Sequence, residues 1–303
     1  MAMQRTFVST SGSDSNPGTR TSPCRNPQAA LAGTSPGGEV VVLDSGEYAP
    51  FVIDKSATVA AAPGAYAAIS ASSGDGVYVR AGASDAIVLR NLVLTGFGGR
   101  HGIFFETGGS LDLECITATG FGGRGLRMLA VNAAASLVVR DSVFRANSAG
   151  VVVNGSTGGA IRVEIERTRA DRNRDNGFWF LGGVRGTVRS AAAAANAGSG
   201  FFFQPEAALT VFDSVAEGNA NGVAVMAPGT QVQVTLAGVV LANNWSAGVA
   251  ASPESLVRIG GSTITGNGTG ISNTDGTVES LQDNLVRGNA TDVTGVLTLI
   301  AKS

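Results

Sequence analysis

The chain has 303 residues; 15% are charged, 44% are hydrophobic, 43 are glycine, and the formal net charge is −2. That composition is too apolar for a disordered chain, and the glycines keep no three-residue collagen period. The near-neutral charge excludes a broad nucleic-acid surface, which needs clustered Lys and Arg, and no apolar run reaches the roughly 18 residues of a membrane span.

The first residues, Met1-Ala2-Met3-Gln4-Arg5, lead straight into Phe7-Val8, with no apolar signal-peptide segment between them. Met3 is a second candidate start, which leaves room for a removed leader. Phe7-Val8-Ser9 is predicted as a strand and residues 12–18 as a turn-rich loop. Asn26-Pro27 then opens a short helix, with Asn as N-cap and Pro at the first helical position. Such a helix covers the first coil and shields backbone groups that would otherwise template aggregation. Glu39-Val40-Val41-Val42-Leu43 and Phe51-Val52-Ile53 begin the coils. Residues 1–38 are thus a strand and helix cap, and residues 39–303 one continuous domain. Cys24 and Cys115 stand 91 positions apart in unlike contexts and are expected to be two unpaired small hydrophobes.

From residue 76 a glycine followed by apolar residues returns at Gly76, Gly102, Gly125, Gly150, Gly177, Gly200, Gly222, Gly248 and Gly270, at intervals of 22 to 27. A period in that range marks one short unit stacked many times. Each unit holds an apolar stretch after the glycine, such as Phe178-Trp179-Phe180, and a strictly alternating one, such as Val163-Glu164-Ile165-Glu166. Alternation of period two means a strand with one buried and one exposed face. Short strands, turns and a repeat near 24 residues point to an all-β parallel β-helix of about ten coils, whose like-placed side chains stack about 4.8 Å apart.

Stacking turns scattered residues into columns. Asn147, Asn173, Asn196, Asn219, Asn243, Asn267 and Asn289 fall three to five residues before the glycine position, as an asparagine ladder would. Phe97 and Phe121 hold that slot in the two preceding coils. On the alternating strand, Glu114, Arg140, Glu166, Arg189 and Phe212 form an outward column of alternating sign. Opposite charges on laterally paired strands attract by roughly 0.2–1 kcal/mol per exposed pair. At the C-terminal end, Val296-Leu297-Thr298-Leu299-Ile300 is an apolar strand with no following cap; a partner covers it, it folds over the end, or it is a homo-oligomer surface.

The lead-in of residues 7–48, FVSTSGSDSNPGTRTSPCRNPQAALAGTSPGGEVVVLDSGEY, resembles that of bacterial right-handed parallel β-helix proteins of the pectate-lyase-like superfamily, and the later repeats look like its coils. The resemblance implies a right-handed, single-stranded solenoid and a secreted or envelope-associated protein. It is specific for fold and poor for activity, because that superfamily includes lyases, hydrolases, epimerases and tailspikes. In many similar sequences a cysteine stands where Gly18 stands here, before the one matching Cys24, so the local disulfide of those relatives is lost.

Lyases of this fold need acidic residues to hold Ca²⁺ or neutralise a uronate, plus an Arg or Lys near the sugar. The outward column two residues after each glycine reads Phe104, Arg127, Val152, Trp179, Phe202, Ala224, Ala250 and Ser272. It holds one cation and no carboxylate, so neither a calcium site nor the carboxylate set of a hydrolase is expected on it. Alginate epimerases carry Tyr, Asp and His together, whereas His101 has only Arg100 and Gly102 beside it along the chain and is expected to be a surface turn residue. No cofactor or metal motif is found.

What the column offers is aromatic. Trp179 and Phe202 are expected on adjacent coils, able to stack on sugar rings or to lie under a turn or a partner subunit. Residues 171–175, Asp-Arg-Asn-Arg-Asp, bring both charges to the same region in a turn that neutralises itself. The candidate ligand-binding residues are therefore Phe104, Arg127, Arg174, Asp175, Trp179 and Phe202. The chain is expected to be a binding or structural β-helix contacting polysaccharide or another subunit, with a carbohydrate-active lyase or hydrolase as the alternative.

Overall fold

The computed structural model describes residues 2–131, 133–156 and 158–301. Three parallel sheets run the length of the molecule, of 13, 11 and 11 strands, and each coil contributes one strand to each. A representative coil runs Val163-containing Ile161–Glu166 in the first sheet, Arg169–Asp171 in the second and Phe178–Leu181 in the third. Every strand pairing between coils among the described residues is parallel, for example Ile161 to Val184 and Glu166 to Arg189. This is an all-β solenoid of about ten coils with the right-handed sense that parallel crossovers adopt.

Single left-handed residues make the corners. Asn91, Cys115, Asp141, Arg167, Ser190 and Asp213 turn the first sheet into the second, and Ala146, Arg172, Ala195 and Asn243 turn the second into the third. Each spends one positive-φ residue to redirect the chain without a long loop, a conformation that Asn and Asp tolerate best. Inside, Phe178 stacks on Phe201 at 5.1 Å and Phe180 on Phe203 at 5.5 Å. All four are at most 1% exposed, and each contributes about 1.5–3 kcal/mol by burial.

The asparagine ladder is present with one correction. Nδ2 of Asn173, Asn196, Asn219, Asn244 and Asn267 each donates to Oδ1 of the asparagine one coil on, at 2.9–3.1 Å. The member in the fifth place is Asn244, which is fully buried; Asn243 is the left-handed corner residue before it, and its side chain bonds Glu217 instead. Phe121 does head the column, its N–H donating to Asn147 Oδ1 at 3.0 Å, but Phe97 is 66% exposed and lies outside it. The charge column also stands in register from Glu114 to Phe212, with Arg90–Glu114 at 3.1 Å preceding it.

At the N-terminal end, helix Pro27–Gly33 buries Pro27, Ala30 and Leu31. Asn26 sits at its N-cap in extended backbone but makes no capping bond. Its amide holds Asp14 of the preceding loop at 2.8 Å instead, and Asp14 also receives the Arg25 and Asn26 N–H groups. The first strand of the coils is longer than the apolar run, Thr34–Val42, and Met3–Val8 pairs with it in the same sheet. Cys24 is buried and free, and Cys115 exposed and free. A Cβ on Gly18 would lie 3.4 Å from Cys24 Sγ, so position 18 faces Cys24. At the other end Thr298–Leu299 joins the first sheet as its last strand, leaving Val296 and Leu299 more than 60% exposed.

Candidate functional site

The third sheet carries the candidate residues on its outward face because its inward positions are fixed by the core. Ile103 and Phe105, or Phe178 and Phe180, point in, so the residue between each pair points out. The resulting column is continuous in register: Tyr78, Phe104, Arg127, Val152, Trp179, Phe202, Ala224, Ala250 and Ser272. Tyr78 belongs to it too, between Val52 and Phe104, and follows Gly76 by the same two positions as the others.

The structure divides the column into two aromatic patches separated by Val152. In the second, Trp179 and Phe202 lie 5.6 Å apart with rings tilted by 45°. Both are half-buried, and the indole N–H donates to Gln204 Oε1 at 2.8 Å. That bond fixes the indole ring and leaves part of its face open.

The first patch is a charged aromatic cluster. Tyr78 stacks on Phe104 at 5.3 Å with 12° between planes, and His101 meets Phe104 edge-on at 5.6 Å. The guanidiniums of Arg100 and Arg127 each lie 5.3 Å from the Phe104 ring centre, within cation–π range. Phe104 is consequently only 8% exposed and supports its neighbours rather than offering a free ring. The Tyr78 hydroxyl donates to Glu106 Oε2, and this bond raises the phenol's pKa, with burial adding to it. Asp75 is held by Arg100 through two bonds of 2.7 and 3.1 Å.

His101 corrects the sequence expectation. It lies within strand His101–Thr107, 1% exposed, and pairs laterally with Asp75 of the previous coil. Neighbours along the chain could not show this, because the acid arrives from 26 residues earlier. Nδ1 accepts the Arg124 N–H at 2.9 Å, so the neutral ring carries its proton on Nε2, 3.5 Å from Arg127 Nη1. Burial, opposed by Asp75 and reinforced by Arg100, Arg127 and Arg124, lowers its pKa from 6.5 to about 4.

Arg127 is the unusual group. Among the described residues no carboxylate lies within 4 Å of it, whereas Arg100 has Asp75. Burial first, then the charges of Arg124 and Arg100, pull its pKa down, the mark of a cation lacking its counter-ion. Arg174 Nη2 reaches back two coils to the Phe121 carbonyl at 3.2 Å, in the turn that leads into Arg124. The turn at 171–175 therefore does not neutralise itself. Asp171 pairs with Arg169 at 2.8 Å, Arg174 departs toward Phe121, and Asp175 makes no ion pair among the described residues. Of the sequence candidates, Trp179 and Phe202 come together and Phe104 and Arg127 come together, while Arg174 reaches the Phe121 carbonyl and Asp175 lies on the turn before Phe178.

No group of three His, Cys, Asp or Glu placed to hold a metal ion occurs among the described residues, and no helix among them is long and apolar enough to cross a membrane.

The geometry defines a class: a parallel solenoid with a decorated outer strand face. The profile of the right-handed β-helix region matches residues 75–238, and the chain belongs to that family. Among solved structures it is similar to the pectate lyase Pel9A, at 18% identity and a TM-score of 0.59, over 99% of this chain and 78% of the lyase. It is also similar to the A-module of the mannuronan C-5 epimerase AlgE6 of Azotobacter vinelandii, at 16% identity and a TM-score of 0.54, over 87% of this chain and 90% of the module. These likenesses are of fold. No curated protein sequence matches the chain significantly.

Proposed function

We propose that the outward face of the third sheet binds an acidic glycan laid along the solenoid axis. Arg127, a partly buried guanidinium with no carboxylate partner among the described residues, carries this reading. An arginine so placed, with the charges of Arg124 and Arg100 acting on it, favours a ligand that brings its own negative charge. From Tyr78 to Phe202 the column spans five coil steps, about 24 Å at the ordinary strand spacing. A coil step is close to the length of one sugar ring with its linkage, so a chain of several sugars would place an acid group at Arg127 and an apolar ring face on Trp179 and Phe202.

A catalytic reading has two observations in its favour: Tyr78, Asp75 and His101 share the patch with Arg127, and two solved structures of similar fold are a pectate lyase and a mannuronan epimerase. Against it, each proton acceptor is already engaged. Asp75 holds Arg100, Glu106 holds Tyr78, and His101 is buried with Nδ1 occupied. Binding is the reading these bonds support.

Calorimetric titration with polygalacturonate and alginate oligosaccharides, against neutral glucan and xylan oligosaccharides, tests it. The acidic chains should bind and Arg127→Gln should remove most of the affinity. Equal binding of neutral chains, or none of acidic ones, would sink the proposal. Release of unsaturated sugars, absorbing in the ultraviolet and lost in Arg127→Gln, would replace binding with catalysis.

A further inference from the structure

On the first sheet, charges on neighbouring coils pair by opposite sign: Arg5 with Glu39 at 2.7 Å, Arg90 with Glu114 at 3.1 Å and Arg258 with Glu279 at 2.8 Å. One pair breaks the rule. Arg162 of strand Ile161–Glu166 is the direct lateral partner of Arg185 on strand Val184–Arg189. In-register parallel strands hold the two side chains about 4.8 Å apart at their roots, where like charges repel. Neither arginine has an ion pair among the described residues, and Glu164, two positions along the same face, is taken by Arg140 at 3.0 Å.

The two arginines border a groove of about 310 Å³ whose other walls are small: Ala134, Ala135, Ala160, Gly183 and Gly186 beside Ile161. Gly186 cannot be enlarged, because a Cβ there would meet the Val163 carbonyl oxygen at 1.9 Å. The recess is thus fixed by backbone contact between the same two coils that carry the arginines. Its uncompensated charge, planar donors and small walls suit one group.

We propose that Arg162 and Arg185 bridge an oxyanion, a carboxylate, sulfate or phosphate, seated in this groove. Each guanidinium presents two parallel N–H donors, and two guanidiniums from adjacent coils can share the oxygens of one anion. Binding turns the one repulsive lateral pair into a cross-coil clamp. The site faces away from the third sheet and does not depend on the glycan-binding reading.

The test follows melting temperature and calorimetric heat for the intact protein in sodium sulfate, phosphate and acetate, against sodium chloride at matched ionic strength. A sulfated and a uronate oligosaccharide are titrated in parallel. At least one oxyanion should raise the melting temperature above chloride, and Arg162→Gln and Arg185→Gln should each weaken its binding roughly tenfold. In chloride alone both variants should melt at or above the parent, because repulsion is relieved; this also shows that they fold. A response to the small ions identifies a free-anion site, and a response only to an oligosaccharide, lost in the same variants, identifies a group carried on a glycan. An unchanged response in both variants, loss in Arg127→Gln instead, or no preference over chloride would overturn the proposal.

Discussion

Nδ2 of Asn244 stands 3.0 Å from the point where a Cβ on Gly222 would be, and the carbonyl oxygen of Gly248 stands 2.7 Å from it. The periodic glycine is therefore a matter of space, and Gly222 is not among the residues of positive φ. The asparagine of one coil and the glycine of its neighbour interlock, and the same closeness recurs at Gly200 with Asn219 and Gly248 with Asn267. Gly222→Ala should cost about 1–3 kcal/mol, since a backbone carbonyl must shift to admit the methyl group. Urea unfolding measures it, and an unchanged midpoint would mean that the coils separate without strain.

Adjacent asparagines should behave in opposite ways. Asn244 receives the Asn219 N–H and amide on Oδ1 and donates to Asn267 and to the Ala216 carbonyl. Asn244→Leu orphans several buried groups at about 1–3 kcal/mol each, so a loss of about 3–4 kcal/mol is expected. Asn243 sits at φ 54, and its side chain bonds Glu217 on the surface. Asn243→Gly keeps that conformation available and should stay within about 0.5 kcal/mol of the parent. Thermal unfolding of the two variants side by side decides which asparagine belongs to the ladder.

Spacing alone does not distinguish Asn243 from Asn244 as the ladder member. The alternating strand is legible from spacing within one coil, and the repeat and the charge column from a spacing that returns from coil to coil. Asn243 and Asn244 satisfy the same spacing, and only the corner conformation separates them. The site was harder for a related reason. Trp179 and Phe202 could be placed by counting from the glycine, but His101 meets Asp75, and Arg174 meets Phe121, across one and two coils. Such contacts follow from the stacking register and side-chain reach, which no run of neighbouring letters displays.

Acid should weaken the first patch through His101. The ring's pKa is about 4 in the folded protein against 6.5 ordinarily, so between those values the unfolded chain binds a proton that the folded one refuses. Stability contributed by neutral His101 is therefore full above pH 6.5 and declines as pH falls toward 4, by about 2–3 kcal/mol across the window. Asn in its place can still accept the Arg124 N–H without titrating. The parent's melting temperature should fall more steeply than that of His101→Asn from pH 6.5 to 4.5; parallel slopes would remove His101 as the cause.

The two aromatic patches should fail differently when each loses its main residue. Arg127 offers charge and has no carboxylate partner among the described residues, so Arg127→Gln should reduce affinity for acidic oligosaccharides by about 1.5–3 kcal/mol, the scale of a hydrogen bond to a charged group. It should also flatten the salt dependence of binding, because the screened interaction is the one removed. Trp179, with its indole held by Gln204 at 2.8 Å, offers only surface. Trp179→Ala should weaken binding by about 1–2 kcal/mol while leaving the salt dependence as it was. Titrations of both variants at two ionic strengths separate these effects. If both changed the salt slope alike, the charged cluster and the aromatic pair would not be acting as separate contacts on one extended ligand.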